Sequence, residues 1–150
     1  MAAAALLAAA IALGGHVVAV HDGDTITVLH DHQQVKVRLV EIDAPELGQP
    51  FGKRSKQSLS DLCYNKPASI ETRGQDKYGR TLARTTCDGQ DANAEQVRRG
   101  MAWVYNRYAK PDSPLYHLQE EAKSSRRGLW ADPSPIPPWE WRAKKKTTSK

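Results

Sequence analysis

The sequence has few of the residues that define several common classes of protein. It contains only two cysteines in 150 residues, and their spacing matches no metal-binding motif. Its five histidines also lack the spacing of a metal site. No internal repeat is visible, and the apolar run over residues 2–13 is too short to span a bilayer. The chain is therefore expected to form one domain whose chemistry lies in other residue types.

Excess positive charge is also scarce outside the C-terminus. The formal net charge is +5, but residues 140–150 hold five basic residues and one glutamate, which leaves +1 for residues 1–139. Such a basic end could hold nucleic acid loosely through counterion release. We favour a solvated tail, because short basic runs are common. Four prolines precede the run, so residues 133–150 are predicted to be an extended, proline-rich and then basic tail, with Trp139 and Trp141 packed on the domain surface.

The apolar run near the N-terminus is typical of a secretory signal peptide. Ala10-Ile11-Ala12 fits an A-x-A cleavage site, which predicts a signal over residues 1–12 and a secreted or periplasmic protein. No lysine or arginine precedes the run, unlike the usual basic start of a signal. The alternative is an alanine-rich helix that caps the domain.

The two cysteines, Cys63 and Cys87, bear on the same question. In an oxidising compartment we expect them to form a disulfide. Closing a loop of this length would stabilise the fold by about 3.5 kcal/mol in the chain-entropy model. The alternative is two separate buried thiols.

Hydrophobic periodicity and turn residues predict five strands and three helices. Apolar residues at every second position of 35–39 give the third strand one buried face. Asn93 with Gln96 fits a capping box for the second helix, and Gly100 fits its end. The predicted strands are 17–21, 25–30, 34–42, 68–72 and 81–86, and the predicted helices begin at Lys53, Asn93 and Ser113, the third ending at Gly128. This order is compatible with a small β-barrel, although pattern alone does not distinguish a barrel from a sandwich.

Three short motifs carry the chemistry of the chain. They are Asp22-Gly23-Asp24-Thr25, the segment 38–46 with the sequence RLVEIDAPE, and Asp76-Lys77-Tyr78-Gly79-Arg80. Clustered carboxylates hold a hard cation through oxygen, and arginines bind a phosphate with paired hydrogen bonds. A chain that brings both sets together can bind a phosphodiester and hydrolyse it.

These motifs, in this order and at this spacing, resemble those of the thermonuclease family, the staphylococcal-nuclease-like calcium-dependent nucleases. The resemblance runs from about Val17 to Trp130 and includes residues 93–105 and 127–130. It implies an OB-fold, a five-stranded Greek-key barrel, here with about three helices, over a domain at residues 13–132. It also implies hydrolysis of DNA and RNA with low sequence specificity, by water attacking in line with the 5′ oxygen to leave 3′-phosphate ends.

The resemblance assigns two aspartates to a calcium site. Asp24 follows a tight turn and Asp43 ends the third strand, and the family adds a backbone carbonyl that corresponds here to Ala44. The family often has a hydroxyl residue at that position, so alanine keeps the carbonyl but loses a side-chain hydrogen bond. Glu46 corresponds to the candidate general base. Asp22 could support the site or serve only the turn.

The resemblance assigns Arg38 and Arg80 to the phosphate, where they would stabilise the charge of the transition state. In an ideal strand Arg38 and Asp43 point to opposite faces, because their separation is odd, so we predict a bend or bulge between them. The residues expected on the substrate side are Lys77, Tyr78 and Tyr108. Tyrosine rings stack on unpaired bases without sequence preference, so single-stranded or locally open substrate is expected to be preferred.

The sequence therefore predicts a monomeric, calcium-dependent phosphodiesterase with DNA and RNA as substrates. Two alternatives stay open. The first is a noncatalytic member of the fold that binds nucleic acid or peptide, although such a module has no need for the full set of acidic and arginine side chains. The second is a structural or partner-binding barrel that uses the basic tail as an adaptor and needs no metal.

Overall fold

The computed structural model describes residues 12–148. Its strands are β1 Ala12–Asp22, β2 Thr25–His30, β3 Gln33–Leu39, β4 Ile42–Asp43, β5 Pro67–Gln75, β6 Thr81–Cys87, β7 Gln90–Asp91 and β8 Trp103–Val104. Its helices are α1 Gly52–Cys63, α2 Ala92–Arg98, α3 Leu115–Ser124 and α4 Pro138–Thr148, with a 3-10 helix at Gly128–Ala131. The predicted signal peptide lies outside the described residues, apart from its last residue. Within residues 12–148, none of the helices has the length and apolar character needed to cross a bilayer.

Five strands close into a barrel. β1 pairs antiparallel with both β2 and β5, β2 pairs with β3, and β5 pairs with β6. β3 and β6 run parallel and complete the ring, with Val37 beside Thr81 and Leu39 beside Ala83. The short β7 extends from β6 as a hairpin. The predicted five-stranded barrel is confirmed, with four α-helices in the described chain rather than about three.

Alternate residues of the strands fill the barrel interior. Ile26, Val37 and Leu39 are fully buried, while Lys36, next to Val37 on β3, is exposed. Leu59 of α1 joins the same core. Each such side chain contributes about 1.5–3 kcal/mol by leaving water, so the barrel is a rigid support for side chains at its ends.

β3 does not continue to Asp43. It ends at Leu39, and the next two residues form a turn in which Glu41 has a φ of 68°. The short β4 then pairs with β8, where Asp43 lies opposite Trp103. The bend predicted between Arg38 and Asp43 is therefore confirmed, and it allows both side chains to reach one site.

The two cysteines form the predicted disulfide. Cys63 ends α1 and Cys87 ends β6, and their Cα atoms lie 5.1 Å apart. This distance is in the ordinary range for a disulfide. The bond ties the helix to the barrel.

The predicted capping of α2 is wrong. Asp91 is the N-cap, because its side chain accepts a hydrogen bond from the Ala94 amide. Asn93 lies inside the helix and is fully buried. Its side chain accepts from the Thr85 amide and donates to the Val40 carbonyl, so it satisfies the barrel backbone instead of capping the helix.

Gly100 follows the end of α2 as predicted, with a φ of 70°. Gly128 was predicted to end the third helix, but α3 already ends at Ser124. Gly128 serves a different purpose, because a Cβ there would lie 2.3 Å from the carbonyl oxygen of Gly100. The two glycines allow a close backbone crossing between the α2 end and the 3-10 helix.

The prediction that residues 133–150 are extended is wrong for most of the segment, because Pro138 begins helix α4. A proline is well suited to the first turn of a helix, where its missing N–H would have no partner. The Pro137 carbonyl accepts from the amides of Glu140 and Trp141, at 3.0 Å each. Trp139 packs on the domain as expected, with its ring stacked 5.3 Å from that of Tyr105.

Candidate active site at the bend after β3

The turn between β1 and β2 brings an acidic residue against the rest of the site. Its conformation depends on Gly23, since a Cβ there would lie 1.8 Å from Ser55 Oγ and 2.7 Å from Ala44 Cβ. The Asp24 amide donates to Asp22 Oδ1 at 3.0 Å, which fixes the turn. Asp22 therefore acts as a turn-forming residue whatever else it does.

Asp24 is joined directly to the segment that follows the bend. The Ala44 amide donates to Asp24 Oδ2 at 2.8 Å, and the Thr25 hydroxyl donates to Asp24 Oδ1 at 3.1 Å. Asp24 is 5% exposed and Asp43 is 1% exposed. Two carboxylates that are distant in sequence are thus buried side by side.

Arg38 connects these two carboxylates. Its Nη2 lies 3.4 Å from both Asp24 Oδ2 and Asp43 Oδ1. Its Nη1 donates to the carbonyls of Leu39, at 2.5 Å, and Ile42, at 2.9 Å. The bend therefore supplies two acceptors that hold the guanidinium in one orientation, with one nitrogen shared by two acids.

Glu46 lies in the loop after β4 and is more open to solvent than the two aspartates. Its side chain is 39% exposed. Its amide donates to Gln49 Oε1 at 3.1 Å, and Gln49 Nε2 donates to the Ile136 carbonyl at 2.6 Å. The approach of α1 fixes this loop further, because a Cβ at Gly52 would lie 1.9 Å from the Glu46 carbonyl oxygen.

Arg142 of α4 is a member of the cluster that the sequence did not reveal. Its Nη2 donates to Asp43 Oδ2 at 2.7 Å, and its Nη1 lies 3.2 Å from Asp43 Oδ1 and 2.8 Å from Glu46 Oε1. The bond to Asp43 raises the pKa of this guanidinium. The only sequence signal was the basic run of the tail, which did not indicate that the tail folds back onto the site.

Burial shapes the acid–base properties of the aspartates. It raises the pKa of Asp43, and the hydrogen bond from Arg142 offsets this only in part. Burial and the neighbouring Asp24 raise the pKa of Asp22 to about 7. Burial and mutual repulsion disfavour the charged forms of these acids, and a bound cation would stabilise them.

The loop before β6 holds the third motif in a separate arrangement. Asp76 Oδ1 accepts from the amides of Tyr78 and Arg80, at 2.9 and 3.0 Å, which closes the turn. Arg80 Nε donates to Asp76 Oδ2 at 2.7 Å, and its guanidinium lies 5.5 Å from the centre of the Tyr78 ring. Lys77 Nζ lies 5.2 Å from the same ring.

The structure thus joins Asp24, Arg38, Asp43 and Glu46, the last through Arg142, in one cluster. Arg80 pairs with the local Asp76 instead. The β3–β6 pairing still brings the two motifs to neighbouring strands, because Thr81 lies beside Val37.

Exposed aromatic rings lie near the same part of the fold. Tyr78 is 71% exposed and Tyr108 is 60% exposed. Tyr108 meets the edge of Tyr105 at 5.1 Å between ring centres, and the Tyr105 amide donates to the Glu41 carbonyl of the bend. Both tyrosine rings are exposed to solvent, and cations of the chain lie over them, Lys77 and Arg80 at Tyr78 and Arg107 at Tyr108.

The donor set of the cluster suits a hard cation. Asp24 and Asp43 offer carboxylate oxygens, and Ala44 lies next to them with its carbonyl as a further donor of the type that calcium accepts. The two carboxylates already share one positively charged nitrogen of Arg38, which shows that both can direct an oxygen at a single positive charge. Among residues 12–148, no group of three or more His, Cys, Asp and Glu side chains is arranged to hold a metal ion. A metal here would therefore complete its coordination with backbone oxygen and water.

A barrel with an acidic and arginine-rich cluster at the end of one strand defines the class of protein. Residues 36–132 match the family model described as staphylococcal nuclease homologue. The match covers more than half of the chain and includes Arg38, Asp43, Glu46 and Arg80. The chain belongs to the staphylococcal nuclease family.

Relatives with assigned names agree with this membership. A micrococcal nuclease of Shigella flexneri is 42% identical over 145 residues, which cover 90% of this chain and 83% of the relative. A Haemophilus influenzae protein named as an uncharacterized endonuclease is 47% identical over 132 residues, covering 87% and 73%. Protein ParB of Escherichia coli is 41% identical over 140 residues, covering 87% and 79%.

Proposed function

We propose that this protein is a calcium-dependent nuclease that hydrolyses the phosphodiester bonds of DNA and RNA with low sequence specificity and leaves 3′-phosphate ends. The observation that carries the proposal is the convergence of Asp24 and Asp43 on a single Arg38 nitrogen, at 3.4 Å from each. In this arrangement, two acids that would bind a cation lie beside a guanidinium that would bind the phosphate. Family membership and relatives named as nucleases support the same reaction class.

Asp24, Asp43 and the Ala44 carbonyl would hold the calcium ion. When bound, the ion would neutralise charge on the phosphate and orient water. The deep burial of both aspartates, at 5% and 1% exposure, excludes bulk water and strengthens their attraction for a cation. Ala44 has no hydroxyl to contribute, so its side chain adds no further bond at this position.

Glu46 would accept the proton of the attacking water. Its 39% exposure leaves the carboxylate open to solvent, unlike the two aspartates. The proton moves to Glu46 as water oxygen bonds to phosphorus. The bond from phosphorus to the 5′ oxygen breaks in line with it, and this oxygen takes a proton from solvent to become a hydroxyl. The phosphate then stays on the 3′ oxygen.

Arg38 and Arg80 would stabilise the charge that develops on the phosphate oxygens. Arg38 is already directed at the cluster by two backbone carbonyls. Arg80 is held by Asp76 and would have to exchange this carboxylate for the phosphate. Such exchange between two anions of similar strength is feasible at a partly exposed side chain, here 28% exposed.

The exposed residues Lys77, Tyr78 and Tyr108 would contact the nucleic acid beside the scissile bond. Tyr78 and Tyr108 present rings that can stack on bases of any identity, which accounts for low sequence specificity and favours unpaired strands. We further propose that the protein is secreted or periplasmic and acts as a monomer. The Cys63–Cys87 disulfide supports an oxidising compartment.

Cleavage assays with defined metal content test this function. We expect the purified protein to cleave plasmid, single-stranded DNA and RNA in calcium, with little activity in magnesium or excess chelator, because magnesium demands stricter octahedral geometry. The products of a 5′-labelled oligonucleotide should shift in mobility after phosphatase treatment, which identifies 3′-phosphate ends. Equal rates in both metals, or full activity in chelator, would contradict the metal assignment.

A noncatalytic nucleic-acid-binding module is the second candidate, and one observation favours it. Arg142 engages the very carboxylates that catalysis would need. A binding module would retain single-stranded DNA in calcium and in chelator alike and would not cleave any of the three substrates. The same assay therefore separates the two functions.

A further inference from the structure

Helix α4 is anchored so that one of its side chains reaches the candidate active site. Trp139 stacks on Tyr105 and meets the edge of Trp103 at 5.7 Å between ring centres. Arg142 follows three residues later, which puts it on the same side of the helix. The Gln49 bond to the Ile136 carbonyl holds the preceding segment against the Glu46 loop.

The contacts of Arg142 leave little of Asp43 available. Both Asp43 oxygens accept from Arg142, and Oδ1 also accepts from Arg38 at 3.4 Å. The same Arg142 guanidinium bonds Glu46 at 2.8 Å. Asp43, which is assigned to the metal, and Glu46, which is assigned to the proton of the water, are therefore both bound by Arg142.

A bound divalent cation and this guanidinium are incompatible neighbours. Arginine stays protonated throughout the physiological range. A cation ligated by Asp43 would repel Arg142 at short distance inside a site of low water content. The ion would also need the Asp43 oxygens that Arg142 now occupies.

We propose that Arg142 is a built-in competitor of the metal, which neutralises Asp43 and Glu46 in the metal-free protein and leaves both when the cation binds. Helix α4 is then a cover over the active site whose C-terminal half is released by the cation. The inference rests on the metal centre of the proposed function. Release would leave Glu46 able to accept the proton of the attacking water. It would also turn the basic end of α4 toward solvent and substrate.

Calcium affinity without nucleic acid tests this competition. Isothermal titration of the substrate-free protein should show that Arg142→Gln binds calcium about tenfold tighter or more, because wild type must first break several hydrogen bonds between charged groups. Lys146→Gln is the matched control, since it removes one positive charge from the same helix and leaves Arg142 in place. We expect its affinity to stay within about twofold of wild type, because the interactions of an exposed charged side chain are weak in water.

Equal or weaker binding by Arg142→Gln would overturn the competition while leaving the nuclease function intact if wild type binds calcium and cleaves. An equal gain in Lys146→Gln would also overturn it, because general charge would then explain the effect. If neither wild type nor Arg142→Gln binds calcium, the metal centre fails and the inference fails with it.

Hydrogen exchange of the wild-type protein provides a test that needs no variant. Calcium should lower the protection of the amides of residues 142–147 and leave the barrel strands unchanged or better protected. Unchanged or greater protection of the α4 amides on calcium addition would overturn the release of the helix.

Discussion

Arg38 and Arg80 are assigned to the same phosphate, but the fold holds them in different ways. Arg38 is 13% exposed and bonds two backbone carbonyls and two aspartates. Arg80 is 28% exposed and pairs with Asp76, four residues away in the same loop. The comparison shows that one arginine is built into the barrel, whereas the other belongs to a local turn that a substrate can rearrange. Substitution of Arg38 should therefore affect both turnover and stability, whereas substitution of Arg80 should affect only turnover.

Arg38→Lys should have the largest effect, because it damages both activity and fold. Lysine cannot bond both carbonyls and both carboxylates, so turnover should fall by ~10²–10³. Leaving buried acceptors unsatisfied should also cost about 1–3 kcal/mol in the free energy of unfolding. Single-turnover cleavage and urea unfolding measure the two effects. Arg84→Lys is the matched control, since Arg84 is also partly buried against acids, but these are Asp91 and Glu41 rather than the aspartates of the site.

Arg80→Lys should lose a similar factor in turnover, about 10²–10³, while its unfolding free energy changes by less than about 0.5 kcal/mol. A partly exposed ion pair within one loop contributes little to stability. Arg73→Lys, on exposed β5 with Glu71 as partner, is the control for a surface arginine. A loss of stability as large as that of Arg38→Lys would end the distinction between the two arginines.

Features of the fold that have local signals in the sequence were predicted, whereas features that depend on distant partners were not. Strand β2 was predicted with its observed ends, because alternation and turn residues are local signals. The bend before Asp43 was predicted from parity together with the family resemblance, which assigns Arg38 and Asp43 to one site. The disulfide was predicted on the expectation of an oxidising compartment, where two cysteines would pair.

Features that depend on distant partners were missed or misassigned. Asn93 and Gln96 fit a local capping pattern, but both are buried, and Gln96 donates to the carbonyls of Gly23 and Ser55. The segment of α4 was predicted to be extended because of the prolines at its start. The helix packs through Trp139 on Tyr105 and Trp103, which are far back along the chain. Arg142 was therefore not identified as a residue of the site from the sequence. Tertiary contacts overrode local preference in each case.

Asp22→Asn sharpens the comparison within the acidic residues, because its expected effect is confined to stability. The pKa of Asp22 is about 7 in the folded protein, raised from 3.8 by burial and Asp24. The folded protein therefore holds a proton that the unfolded chain releases between pH 4 and 7, and wild-type stability falls as pH rises through this window. Asparagine keeps the oxygen that accepts from the Asp24 amide and removes the charge.

The difference in unfolding free energy between Asp22→Asn and wild type should shift by up to ~4 kcal/mol in favour of the variant between pH 4 and values above pH 7. Urea unfolding in chelator across pH 4–8 measures this. Parallel stability curves for the two proteins would show that Asp22 ionises freely in the metal-free fold.

The central claim is that the cluster performs hydrolysis and does not only bind nucleic acid. Single-turnover cleavage and affinity of Glu46→Gln for a short single-stranded DNA, in calcium at one fixed salt concentration, test it most directly. Glutamine keeps the size and one oxygen but is a very poor base, and the contacts of Arg38 with Asp24 and Asp43 do not involve Glu46, so the site stays assembled.

Cleavage should fall by about 10²–10⁴ with binding unchanged or tighter, since a negative charge near the phosphate is removed. Glu120→Gln, an exposed acid on α3 paired with Lys123, should behave as wild type. Unchanged cleavage by Glu46→Gln would remove this residue from the mechanism, and a wild type that binds but never cleaves would contradict the claim itself.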